Sequence, residues 1–271
     1  MKPRVVVALL AFASLFGTAG CTELDAHIAA NEGFKAYKAR DYEKAVAKYD
    51  EALKGKPGNA LLQKNLAYAH MASARNGSGD RATFDAHMTA AIAVLTPMVQ
   101  ADHSDKEAIE QLFSAWTEAG RLDQAAAFFI NWANADDSDE AWRLVAQVEA
   151  QRANYPAALA AFKKRIQKNP NDPSLKLAIG TLSWEWLRQG GPIDNEEALR
   201  VATAAYESTL EADKAGQANA MTYAGLLLRE RAKRQATEVD AQADLKRAEE
   251  IAALLRTREP DTSATAQKAP H

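Results

Sequence analysis

Hydrophobic positions along this chain recur at helical spacings, and the whole pattern recurs about every 34 residues. The clearest period is 26–59, AHIAANEGFKAYKARDYEKAVAKYDEALKGKPGN. Small and apolar residues around Gly33 predict a first helix, and Asp41-Tyr42 follows a turn and opens a second. Ala45, Tyr49 and Ala52 fall on one face of that second helix, at spacings of four and three. Pro57 closes the unit. The period 106–139 repeats this through Leu112, Trp116, Gly120, Ala125 and Phe129, with Asp137 in place of the closing proline and bulky Trp132 where Ala52 stands in the first unit. The period 139–172 carries Trp142, Tyr155, Ala158, Phe162 and Pro170, and its Pro156 starts the second helix, where a missing N–H costs nothing. Three more periods carry insertions. Residues 60–103 begin with Leu66, Ala67 and His70 and run through ASARNGSGD before a helix holding Ala91; residues 173–214 begin with Ile179, Gly180 and Trp184 and run through RQGGPIDN before Ala202, Tyr206 and Leu210; residues 215–260 end with Ala248, Leu255 and Pro260. Asn76-Gly77-Ser78-Gly79 and Gly190-Gly191-Pro192 read as turns that lengthen a hairpin rather than break the array. All six periods align on one alanine: Ala45, Ala91, Ala125, Ala158, Ala202 and Ala248.

Small residues at fixed places, an aromatic between them and a closing proline give a unit that resembles the tetratricopeptide repeat. The resemblance implies an all-α, right-handed solenoid of about six helix–turn–helix repeats over 26–260. In that family the small residues sit where two helices cross closely, and the first helices line a concave groove. Carried over position by position, the first unit presents His27, Phe34, Tyr37 and Lys38, and the second Leu61, Lys64, Tyr68 and Met71. The third offers Glu107, Glu110, Ser114 and Glu118, the fourth Arg143, Gln147 and Gln151, and the fifth Leu177, Thr181 and Trp184. Phe34, Tyr37, Lys38, Lys64, Tyr68 and Met71 are the candidate partner-binding residues, in a groove aromatic at its N-terminal end and acidic to polar in the middle. Such a groove suits a peptide or helix with apolar anchors. The plainer alternative is that Tyr37 and Tyr68 fill gaps between helices. The family's carboxylate clamp is not carried: Ala30 and Phe34 stand where it needs Lys and Asn, only Asn65 fits the second unit, and Glu107 opposes an anion in the third.

The N-terminus follows a different rule. Lys2 and Arg4 precede an apolar stretch from Val5 to Phe16, and small residues Thr18-Ala19-Gly20 lead to Cys21, the only cysteine. This is the order of a secretory signal peptide, and the stretch falls short of the ~20 residues a membrane span needs. Its ending resembles the lipobox of bacterial lipoproteins, departing from it at Thr18, where leucine is commoner. That resemblance implies removal of residues 1–20, a lipid on Cys21, a short linker over 21–25 and a first helix starting near Ala26. Thr22, rather than Asp, after the cysteine implies the outer membrane, with the chain facing the periplasm. An ordinary secreted protein cleaved after Ala19 or Gly20 is the alternative. No run after Phe16 is expected to span a bilayer. Residues 261–271, DTSATAQKAPH, lack an apolar period and are expected to form a disordered tail.

Charge and chemistry narrow the function classes. The formal net charge of −3 becomes −5 once Lys2 and Arg4 leave with the leader, so no basic footprint draws nucleic acid. One cysteine allows no disulfide within the chain, and packing alone must hold the fold. The histidines, His27, His70, His87, His103 and His271, form no compact metal-ligand spacing. An EF-hand loop starting at Asp136 would need Gly sixth and Glu twelfth, where Ala141 and Gln147 stand. There is no G-x-S-x-G. The expectation is a non-catalytic protein without metal or cofactor: a lipid-anchored scaffold or adaptor for an envelope assembly, in the layout of pilotin lipoproteins, with an envelope protein or peptide as partner. A small-ligand or transport accessory with a pocket inside the superhelix is the alternative.

Overall fold

The computed structural model describes residues 7–77, 80–192 and 194–258. Within them the regular structure is twelve helices and no strand. The chain divides into two compact units, Met1–Arg121 and Leu122–His271. The first holds α1 (Val7–Lys38), α2 (Tyr42–Gly55), α3 (Ala60–Asn76), α4 (Arg81–Ala101) and α5 (Lys106–Glu118). The second holds α6 (Leu122–Asp136), α7 (Asp139–Gln151), α8 (Tyr155–Lys168), α9 (Pro173–Arg188), α10 (Asn195–Lys214), α11 (Ala220–Ala232) and α12 (Glu238–Arg258). In each unit every helix packs on the next in sequence, and α9 also packs on α11, across the hairpin between them. This is the expected all-α architecture of repeated helix–turn–helix units. The insertion after α3 lengthens α3 and α4, as the turn residues suggested; the tail 261–271 lies outside the described residues.

Local chemistry sets where helices start and stop. Asp41, Asn59, Asp80, Asp105, Ser138, Asp172 and Asp194 each cap a helix by accepting from a backbone N–H two or three residues on. Five helices end alike. After α1, Arg40 N–H donates to Tyr37 O and Asp41 N–H to Ala36 O; the same pair of bonds recurs at Gly120 and Arg121, Ala153 and Asn154, Gly190 and Gly191, and Gly216 and Gln217. This double bond pattern needs a positive φ at its first residue, and Arg40 (62°), Gly120 (70°), Ala153 (56°), Gly190 (117°) and Gly216 (80°) all have one.

The periodic small residues sit where helices cross. All six aligned alanines are fully or almost fully buried. A Cβ added to Gly33 of α1 would stand 3.0 Å from the Tyr49 ring of α2; one added to Gly180 of α9 would stand 2.1 Å from Thr209 Cγ2 of α10. These two glycines hold the same place in periods one and five, which is why a side chain is missing there. Around the first crossing, Ala29, Ala36, Ala45, Val46, Tyr49, Ala52, Leu62, Leu66 and Ala69 form one cluster.

Two expectations are corrected. The linker over 21–25 is helical: α1 runs unbroken through it, since no Gly or Pro stands between Cys21 and Ala30 to stop a helix. And one later helix, α4, is long and apolar enough to cross a membrane by length and composition. It carries Arg81, Asp85 and His87 and buries one face, Met88, Ala91, Ile92, Leu95 and Val99, within the first unit.

Candidate functional site: the first-helix face of unit 1

Helix α3 has neighbours on two sides and therefore two apolar stripes. Leu62, Leu66, Ala69 and Ser73 form one, and Ala67, Met71 and Ala74 the other. What remains is a third stripe, Leu61, Lys64, Tyr68 and Arg75, from which Lys64, Tyr68 and Arg75 reach α5. Met71, expected in the groove, is 1% exposed; it belongs to the second apolar stripe and is a core residue. The other five candidates are at or near the surface of unit 1.

Two ion-pair struts tie α3 to α5. Lys64 Nζ lies 3.1 Å from both Asp105 Oδ2 and Glu107 Oε2. Arg75 grips Glu118 with both arms, Nε to Oε2 at 2.8 Å and Nη2 to Oε1 at 2.6 Å, and Ser114 Oγ donates to the same carboxylate. Each pair is separated by eleven residues along its own helix, so the struts stand about 16 Å apart. Arg75 holds the Glu118 carboxyl below its usual range. The Tyr68 hydroxyl and then Lys64 do the same to Glu107. Two carboxylates of the expected acidic middle, Glu107 and Glu118, are thus paired with basic neighbours, and among the described residues Glu110 is not. Arg75 was not foreseen, although its spacing from Lys64 matches that of Glu118 from Glu107.

Tyr68 and Tyr37 lie close to these struts, and Phe34 stands one turn before Tyr37 on α1. Phe34 is 53% exposed with the Lys38 ammonium 5.2 Å from its ring centre. Tyr37 is half-buried against the α1–α2 core and meets Tyr42 edge-on, centroids 5.3 Å apart. It is close enough to Tyr68 and Arg75 to couple electrostatically with both. The Tyr68 hydroxyl is buried beside Glu107 yet makes no hydrogen bond of good geometry. Burial, and then the carboxylate, push its phenol far above the ordinary value.

A second cluster, unforeseen in the sequence, joins α2, α3 and α4. Ser73 Oγ donates to Glu43 Oε1 at 2.5 Å, His87 Nε2 lies 2.9 Å from the same oxygen, and His70 Nδ1 faces His87 Nδ1 at 3.0 Å. Burial and His87 lower the His70 pKa; the Ser73 hydroxyl lowers that of Glu43. Ser73 Oγ is also 3.4 Å from His87 Nε2, but the serine is buried and its hydroxyl donates its hydrogen bond to the Glu43 carboxylate. Among the described residues no group of three or more His, Cys, Asp or Glu is placed to hold a metal ion.

No family model matches the chain, and no curated protein does. The chain is similar in structure to tetratricopeptide-repeat proteins. One from Parabacteroides merdae ATCC 43184 has TM-score 0.43 and 18% identity, over 86% of this chain and 98% of that one. The MamA protein has TM-score 0.43 and 20% identity over 72% and 97%. A repeat protein from Bacteroides fragilis NCTC 9343 has TM-score 0.42 and 16% identity over 85% and 99%.

Proposed function

We propose that this chain is a non-catalytic tetratricopeptide-repeat lipoprotein, anchored through Cys21 in the outer membrane and facing the periplasm. It serves as a scaffold or adaptor that captures a peptide or helix from an envelope protein on the first-helix face of unit 1. The observation that carries the capture role is the exposed Phe34 ring, one helical turn before Tyr37 on α1, with Tyr37 in turn close to Tyr68. Aromatic side chains supply most of the energy where partners dock, and Lys64, Arg75, Glu107 and Glu118 are already paired with one another. The anchor reading rests on the order of Lys2 and Arg4, the apolar stretch, the small residues and the sole cysteine. The test is capture from solubilised envelopes by the wild type and by Phe34→Ala/Tyr68→Ala. The double variant should lose capture by more than tenfold with a melting shift of only a few degrees. A large melting loss with capture retained would assign both rings to packing.

A further inference from the structure

The histidines among the described residues, His27, His70, His87 and His103, all belong to unit 1. Two of them meet between α3 and α4, with 3.0 Å between His70 Nδ1 and His87 Nδ1. That contact has room for a single hydrogen, so one ring donates and the other accepts. The neighbours decide which. His87 Nε2 lies 2.9 Å from Glu43 Oε1 of α2, and an ionised carboxylate only accepts, so Nε2 carries a hydrogen. In the neutral ring His87 Nδ1 is then the acceptor and His70 Nδ1–H the donor. The chain of bonds runs from α3 through α4 to α2, and Ser73 of α3 donates to its last oxygen at 2.5 Å.

We infer that the His70–His87 pair is an acid-released latch: once both Nδ1 atoms carry a hydrogen, the two N–H groups oppose each other and α4 lets go of α2 and α3. One added proton is accommodated, because His70 takes it on Nε2 and still donates from Nδ1. A second must enter at His87 Nδ1, against the His70 N–H. The ring centres are 5.3 Å apart, so two imidazolium charges also repel. Burial already works against charge on His70. The groups that offset it come from α2: Glu43 and Asp50 act on His70, and Glu43 is shared with Ser73. On α4 itself Asp85 is paired with Arg81, and beyond the end of α5 Arg121 reaches α4 at Thr89 rather than at the pair. Once apart, each ring takes a proton near the ordinary value of about 6.5. The open form therefore binds more protons than the closed one, and falling pH favours it. The consequence reaches the first-helix face, since α3 and α5 both pack on α4. Release of α4 removes the common footing of the Lys64–Glu107 and Arg75–Glu118 struts, and a bound peptide is let go in acid. That consequence rests on the proposed function; the latch itself does not.

Hydrogen exchange on the full chain tests the latch with no partner present, so it can succeed where the capture reading fails. Backbone protection is read by mass spectrometry from about pH 7 to pH 5, always relative to the unstructured-peptide rate at the same pH. One linked proton changes an opening equilibrium about tenfold per pH unit. Segments of α4 around His87 should therefore lose protection by more than tenfold per unit below about pH 6, because opening takes up two. Helices α6 to α12 contain no histidine and should keep their protection over the same range. In His70→Asn an amide N–H donates to His87 Nδ1 and a single ring titrates, so the loss should drop to tenfold per unit or less. A wild-type loss of tenfold or less, an equally steep loss in His70→Asn, or a matching loss in unit 2 would each overturn the inference. Should His70→Asn fail to fold, nitrogen NMR of the wild-type rings near pH 7.5 decides. It should find hydrogen on His70 Nδ1 and His87 Nε2, and the reverse tautomers would overturn the latch.

Discussion

The Tyr68 hydroxyl is a buried polar group without a well-formed hydrogen bond, and that condition ordinarily costs about 1–3 kcal/mol. Tyr68→Phe removes it while keeping the ring. The variant should melt at or above the wild-type temperature by calorimetry, whereas Tyr68→Ala should melt lower. His70 gives a pH-dependent counterpart. Glu43 and Asp50 on α2, His87 on α4 and Ser73 on α3 surround it. Burial, followed by His87, depresses its pKa below the ordinary value near 6.5. The unfolded chain then binds protons more readily than the folded one. Stability from this site is complete above about pH 6.5 and is lost as pH falls through the depressed value. Urea unfolding between pH 7.5 and 5 should show that loss, and His70→Gln should flatten it; an unchanged slope in the variant would place the titration elsewhere. At this scale the sequence was readable where a residue does one job. The six aligned alanines and the exposure of Phe34 were legible. Met71 was not, because a groove position and a second apolar stripe differ by a modest rotation on α3. The His70–His87 contact was not legible either, since seventeen residues and an insertion separate them and only the packing of α3 on α4 brings them together.

At the scale of the helix, the repeated chain reversals make the sharpest forecasts. Arg40 and Ala153 hold positive φ at places where Gly120, Gly190 and Gly216 do the same work. A non-glycine residue there carries about 1–2 kcal/mol of strain, against which glycine's extra freedom in the unfolded chain weighs somewhat less. Ala153→Gly should therefore raise stability by roughly 1 kcal/mol in denaturant unfolding, and a loss would mean the reversal is not left-handed in solution. Gly180→Ala should act in the other direction. Its methyl group would run into Thr209 Cγ2, at a cost of about 1–3 kcal/mol. Combining it with Thr209→Ala should recover part of that loss, and strict additivity of the two changes would show that the helices do not cross there. The starts of α2 at Asp41-Tyr42 and of α8 at Pro156 were legible, because a capping Asp and a first-turn Pro are written locally. The end of the supposed linker was not: Thr22 to Asp25 carry no helix breaker, and the cleavage pattern around Cys21 says nothing about backbone conformation.

At the scale of the molecule, the repeat period announced an all-α array, yet the boundary between Arg121 and Leu122 falls inside the third predicted period. A periodic sequence conceals such a division, since each repeat looks like its neighbours whichever unit it packs in. The anchor makes its own prediction. Cys21→Ser should release the chain from membranes or leave it with residues 1–20 attached. Normal processing and membrane fractionation of this variant would remove the lipoprotein reading and leave the repeat fold untouched.

If residues 1–20 are removed as proposed, the continuity of α1 has a consequence. In the uncut chain, Glu23 and Asp25 sit in mid-helix, and the first turn of α1 holds no acidic residue. A peptidase that severs the chain before Cys21 turns positions 21–24 into a new helix start with four unpaired N–H donors. Glu23 and Asp25 then stand where negative charge steadies a helix. Proteolysis would thus shift these two carboxylates from an indifferent place to a favourable one. A chain shortened in that way would already carry charges suited to its new beginning.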